Sequence, residues 1–148
     1  MRARRTAWVG TGLAAISVGL LSGGCFGGSP PPATARLTAN PSTLTYNAQA
    51  NGPMPTQEVT VTNTGGRSAR SLAASPVGVY SLPQPSAPNP CQGPGSAATL
   101  APGQSCVIDV QFCPTSAGQD DKTLVVTGVD ATSGAGLLAG VNLNGNAT

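Results

Sequence analysis

Glycine and proline interrupt this chain so often that a helix has little room to grow. There are 20 Gly and 14 Pro among 148 residues, and both residue types break helices and set turns. The stretches between them are rich in Thr and Val, whose branched side chains favour strands. The clearest is "SCVIDVQFCP", in which Cys106, Ile108, Val110 and Phe112 share one face and Val107, Asp109 and Gln111 the other. "TQEVTVTNTGG" alternates in the same way around Val59 and Val61. Shorter strands are expected at about Arg36–Ala39, Thr43–Tyr46, Ala69–Ser75 and Val79–Leu82, and within "KTLVVTG" and "GVNLNGN", the latter with Val141 and Leu143 inward. With 39% hydrophobic residues there is enough for a core. Seven to eight strands with alternating faces and no helix predict an all-β domain, a β-sandwich, over residues 35–148. The one Trp is Trp8, near the N-terminus, so the antibody subtype with its core Trp is excluded.

The start of the chain has a different character. "MRARR" and the uncharged run Ala7–Leu21 have the anatomy of an export signal. As a helix that run reaches roughly 22 Å, short of the roughly 30 Å of a bilayer core. Ser22, Gly23 and Gly24 then read as a peptidase site rather than as membrane interior. Residues 1–24 are expected to be removed, and Arg2, Arg4 and Arg5 with them. The remaining Arg36, Arg67, Arg70 and Lys122 face Glu58, Asp109, Asp120, Asp121 and Asp130, four positives against five negatives, or −1. A near-neutral domain without a basic cluster has no footprint for nucleic acid.

"LSGGC" resembles the lipobox of bacterial lipoproteins, Leu-small-small-Cys, with Ser22 standing where the pattern has Leu and Leu21 one place further out. The resemblance implies cleavage before Cys25 and a diacylglyceryl thioether on its sulfur, often with acylation of the new α-amine. Two or more acyl chains anchor stably where one does not, at about 0.8 kcal/mol per buried CH₂. The segment 25–34 suits a tether, with Gly27-Gly28 flexible and Pro30–Pro32 extended. The expected partner of Cys25 is therefore a membrane, and the expected location is the bacterial cell envelope, on its periplasmic or surface side.

"LTANPSTLTY", "VTVTNTGG" and "LAPGQSCVIDVQFCPTSAGQ…LVVTG…VNLNGN" together resemble the choice-of-anchor-D domain. That domain is a bacterial relative of the ASH (abnormal spindle, hydin) and major-sperm-protein-like sandwiches. The likeness covers nearly all of Ala35–Asn146. It implies an immunoglobulin-like sandwich used for display or protein contact, with no catalytic residue to carry across. This chain departs from the pattern at Cys113, where a small polar residue is usual, and in "DATSGAGLLAG", which reads as a longer insertion before the last strand.

Three cysteines remain in the domain, and export makes a disulfide plausible. Cys106 and Cys113 lie seven residues apart on one strand, roughly 23 Å along it and on opposite faces. A disulfide needs Cα atoms within about 7 Å, so an unbroken strand rules that pair out. Cys91 with Cys106 is the better bridge, and the choice-of-anchor-D pattern often has a cysteine upstream of "APGQSC". Cys113 is then left over as a free thiol, a dimerisation point or an inert filler.

An enzyme finds little support here. The chain has no His, nothing basic is available to activate Cys113, and Asp120 and Asp121 are neighbours in an apparent turn, pointing opposite ways. No loop spacing suits calcium at Asp120, Asp121 and Asp130, and three cysteines lack a fourth zinc ligand. No catalytic residue, metal, cofactor or small-molecule substrate is expected. Sugar binding through aromatic platforms is weak, because Tyr46 and Phe112 read as core and Tyr80 alone as exposed. What remains is a non-catalytic envelope module for structural or protein–protein contact, with an unknown protein partner. The alternative is a chaperone-like or envelope-assembly domain that binds clients at its strand edges.

Overall fold

Proline at position 41 ends the first strand and sends the chain across to a second sheet. A residue with no N–H cannot continue a ladder, and Asn40–Pro41 is a cis peptide bond. The structure, a computed structural model, describes residues 33–84, 88–91 and 99–148. Before the switch lies β1 (Leu37–Asn40) and after it β2 (Thr43–Ala48). Then come β3 (Thr56–Asn63), β4 (Ala69–Ala74), β5 (Tyr80–Ser81), β6 (Thr99–Leu100), β7 (Ser105–Phe112), β8 (Gly118–Asp130) and β9 (Gly136–Ala147). One sheet has the order β1-β3-β7-β5 and the other β2-β9-β8-β4-β6. Every pairing is antiparallel except β2 with β9, which is parallel because β2 enters the second sheet after the switch.

The inward faces follow the sequence alternation. Val59 lies opposite Ile108 and Val61 opposite Cys106 across β3 and β7. Leu124 faces Val141 and Val126 faces Ala139 across β8 and β9. All of these are buried, and the two layers enclose one apolar core.

An aromatic corner closes one end of that core. Tyr46, Tyr80 and Phe112 pack with ring centroids 5.1 to 5.7 Å apart. Tyr46 Oη donates to the carbonyl of Val110 at 2.8 Å, and Tyr80 Oη to that of Asp120 at 2.6 Å. Burial pushes both phenols upward, Tyr80 to about 12 with Asp120 and Asp121 adding to the effect. Tyr80 is thus buried, not exposed as its short strand suggests. It pairs with Phe112 on the inner face, and the backbone carbonyl that satisfies its hydroxyl lies in the opposite sheet.

Three further expectations change. Among the described residues the strands number nine, since β6 is two residues long with no periodicity to reveal it. Asp120 and Asp121 sit within β8, paired with Gly145 and Asn144, rather than in a turn. "DATSGAGLLAG" does not stand wholly before the last strand: Gly136 onward is β9, and only Ala131–Ala135 turns the chain. Glycines disguised the strand, whose inward residues include Ala139 and whose ladder runs unbroken from Gly118 to Val129.

Gly145 lies against the aromatic corner, where an added Cβ would collide with Phe112 Cε2 and Tyr80 Oη. At Gly140 an added Cβ would meet only Thr123 Cγ2, at an ordinary 3.7 Å. Gly145→Ala should therefore cost about 1–3 kcal/mol by overpacking, while Gly140→Ala should be near neutral. Urea denaturation of the two variants side by side is the measurement. Equal midpoints would contradict the packing described.

Candidate functional site

The segment that leads into the domain is held by two buried polar side chains. Asn63 ends β3, fully shielded from solvent. Its Oδ1 accepts the backbone N–H groups of Arg36, at 3.2 Å, and Gly65, at 3.1 Å. Its Nδ2 donates to the carbonyls of Arg67, at 2.7 Å, and Leu100, at 2.9 Å. A carboxamide has two acceptor sites and two donors, and all four are used. The backbone of the same residue donates to Gln104 O and accepts from Gly103 N.

Local sequence explains the arrangement. Thr64 N donates to Arg36 O, and Gly66 N to Thr34 O, so the Gly65-Gly66 turn lies directly on the incoming chain. A Cβ on Gly65 would collide with the backbone there, at Thr34 O and Arg36 N. On the other side, Gln104 N donates to Ala101 O across Pro102-Gly103, and Gly103 has φ 79°. A turn with Pro then Gly at its centre needs that left-handed glycine. "VTNTGG" and "LAPGQSC" are thus two halves of one joint.

Asp130, at the end of β8, is the second fastening. Oδ2 accepts Ala35 N at 2.8 Å; Oδ1 accepts Thr132 N at 2.8 Å and Ser133 N at 2.9 Å. Those three backbone N–H groups, Ala35 first, hold its carboxyl well below the usual carboxylate range. Its own turn and Ala35 close it off from solvent, at the end of the sandwich rather than deep within it. Both residues stood in the sequence without a role. Asn before Thr-Gly-Gly, and Asp before Ala-Thr-Ser, are the local signals, since Asn and Asp cap backbone N–H groups just ahead of them.

The disulfide joins the same joint to the loop before it. Cys91 and Cys106 are bonded, with S–S 2.11 Å and Cα–Cα 4.8 Å. Cys91 N donates to Val107 O, and Val107 N to Asn89 O, so the backbone itself lays residues 89–91 along β7. Cys113 is a free thiol, half-buried just past β7, with Ser81 Oγ at 3.4 Å. Cys25 lies outside the described residues.

The carboxylates of β8 are engaged one by one. Asp120 Oδ1 has Lys122 Nζ at 2.8 Å, and Asp121 Oδ2 accepts from Gln119 at 2.7 Å. Asp121 and Asp130 are about 30 Å apart along β8, too far to share an ion. Among the described residues no three His, Cys, Asp or Glu side chains gather to hold a metal.

Two measurements check this joint. Asn63→Ala leaves two backbone donors and two carbonyls short of a partner, and should cost about 3 kcal/mol or more in urea unfolding. Asp130 contributes stability that is complete above its unfolded pKa of about 4 and is lost as pH falls below it. Unfolding free energy of the wild type should therefore decline below about pH 4. Asp130→Asn, less stable at neutral pH, should show a flatter acid limb.

No family model matches this sequence, and no curated protein is similar to it. Solved structures are similar in fold. ASH/PapD-like domain 7 of human CEP192 matches at TM-score 0.58 and 12% identity, over 91% of this chain and 98% of that domain. The Vibrio cholerae VesB protease matches at TM-score 0.57 and 18% identity, over 75% of this chain. This chain spans only 32% of the length of that protease. WR4, an MSP family member of C. elegans, matches at TM-score 0.48 and 13% identity, over 77% of this chain and 99% of that one. Likeness at such identities establishes the fold alone, and that fold is an immunoglobulin-like sandwich of the ASH and PapD-like kind.

Proposed function

We propose that this is a lipid-anchored, non-catalytic protein of the bacterial cell envelope, a choice-of-anchor-D-like sandwich displayed on a short tether from Cys25. One observation carries the reading. The backbone from Thr34 to Arg36 is fastened at every residue, by Gly66, Asp130, Asn63 and Thr64. The sequence between Cys25 and it is Gly- and Pro-rich. A domain tethered through its N-terminus needs its firm hold where the tether enters. The disulfide fits an oxidising, exported compartment. Among the described residues no helix is long and apolar enough to cross a membrane. Asp120, Asp121 and Asp130 are taken up in ion pairing, a side-chain hydrogen bond and backbone capping, which supports a contact role rather than a reaction.

Client capture at a strand edge is the second reading. β2 borders its sheet, but Gln57 Nε2 already donates to Thr45 O at 2.7 Å, occupying one of the carbonyls an added strand would use. Display is the better supported of the two.

Cys25→Ser tests the anchor. Cells fed a fatty-acid analogue should label the wild type and not the variant, which should accumulate as a larger, unprocessed precursor. Equal labelling and equal migration of the two would rule out lipidation at this residue.

A further inference from the structure

Three of the four cations in residues 33–148 gather at the end of the sandwich where the chain enters. Arg36 lies on the entering segment, Arg67 just after the Gly65-Gly66 turn laid against it, and Arg70 at the start of β4. They are scattered in sequence, and the fold draws them together. The N–H of Arg36 and the carbonyl of Arg67 both bond to the carboxamide of Asn63. Arg70 stands opposite Val129, one residue from Asp130. Arg36 and Arg70 are exposed and Arg67 is half-buried. Among the described residues none of the three guanidinium groups has a hydrogen bond or an ion pair. The acid at this end, Asp130, is buried and bonded to three backbone N–H groups.

The other charges lie away from it. Glu58 and Asp109 face each other across β3 and β7, with Glu58 roughly 17 Å along its strand from Asn63. Asp120, Asp121 and Lys122 lie in the first half of β8, roughly 27 Å or more from Asp130. Three Arg less Asp130 leave +2 at the entry end, and Lys122 less Glu58, Asp109, Asp120 and Asp121 leaves −3 elsewhere. Charge is thus separated along the strands.

We infer that the Arg36, Arg67 and Arg70 end docks on anionic phospholipid headgroups of the membrane that holds Cys25, so that the sandwich stands upright on it. The inference rests on the lipid-anchor reading. Cys25 and Ala33 are eight residues apart, at most about 29 Å of extended chain, so anchorage keeps this end close to the surface. Length alone leaves the domain free to tilt, and charge selects the tilt. Each Arg near an anionic surface is worth about fivefold in population, and three favour the upright pose by up to about a hundredfold in dilute salt. The acids of β3, β7 and β8 are repelled by the same surface and oppose lying flat. A guanidinium holds phosphate oxygens through paired N–H groups, and these three have no partner in the protein to give up.

The lipidated protein, purified whole from membranes and reconstituted into vesicles, tests this. In a Cys113→Ser background, a dye is attached through Thr132→Cys at the entry end or Ser116→Cys at the opposite end, both exposed positions. An energy acceptor is carried on the lipid headgroups. Replacing phosphatidylcholine by phosphatidylcholine with one third phosphatidylglycerol should raise transfer from the first dye and lower it from the second. Salt at 1 M, where the screening length is about 3 Å, should cancel both shifts. Arg36→Gln/Arg67→Gln/Arg70→Gln, with unchanged circular dichroism, should lose the rise at the entry end. The proposal is overturned by no rise in the wild type, a rise at both dyes, a rise untouched by salt, or an equal rise in the triple variant. A rise confined to densely loaded vesicles would place a second copy at this end and overturn it too. Flotation with pure phosphatidylcholine vesicles reports the anchor alone. A chain that does not float lacks the anchor, and the docking falls with that reading; a chain that floats without the shifts defeats the docking only.

Discussion

The carboxamide of Asn63 is the interaction on which the rest of this domain depends. It is buried, and each of its four hydrogen-bonding positions meets a different stretch of backbone: Arg36, Gly65, Arg67 and Leu100. No other side chain reproduces that set. Asp lacks the donors, Ala supplies nothing, and Gln is one methylene too long for the same reach. A buried amide that satisfies everything around it specifies a single arrangement, whereas a partly satisfied one destabilises. That is why the Gly-Gly turn, the Pro-Gly turn and the entering segment all have fixed places.

Two other fastenings work with it. Asp130 holds Ala35 and its own turn at the end of β8, and the disulfide ties residues 89–91 to the start of β7. All three gather at the end of the sandwich where β7 begins. The opposite end is closed differently, by the rings of Tyr46, Tyr80 and Phe112 seated on Gly145. A small domain with few large side chains thus combines polar and covalent ties at one end with aromatic packing at the other, around aliphatic layers between.

Those ties consume much of the domain's polar chemistry. Asp120 is ion-paired, Asp121 accepts from a side-chain amide and Asp130 is bonded to backbone N–H groups. The aromatic rings that could have formed a binding platform are in the core. The exposed remainder is a polar, nearly neutral sheet face and a set of short edges. Such a surface suits hydrogen bonding more than hydrophobic burial.

The sequence by itself determined the class of fold, because alternation with period two survives at Val59 and Val61 and from Cys106 to Phe112. Each inward residue there is large and each neighbour polar or half-exposed. It also supported the Cys91–Cys106 pairing, since β7 is one unbroken strand that keeps Cys106 and Cys113 apart. The outer parts of β8 and β9 were hidden, because Gly136, Gly140 and Gly145 give no hydropathy signal and only the partner strand makes them a ladder. Tyr80 was misplaced for a related reason: its hydroxyl finds a carbonyl forty residues away, in the other sheet. The tertiary structure alone decided what Asn63 and Asp130 do. Their partners are backbone groups of segments remote in the chain, such as Leu100 and Ala35, and backbone groups leave no trace in a sequence.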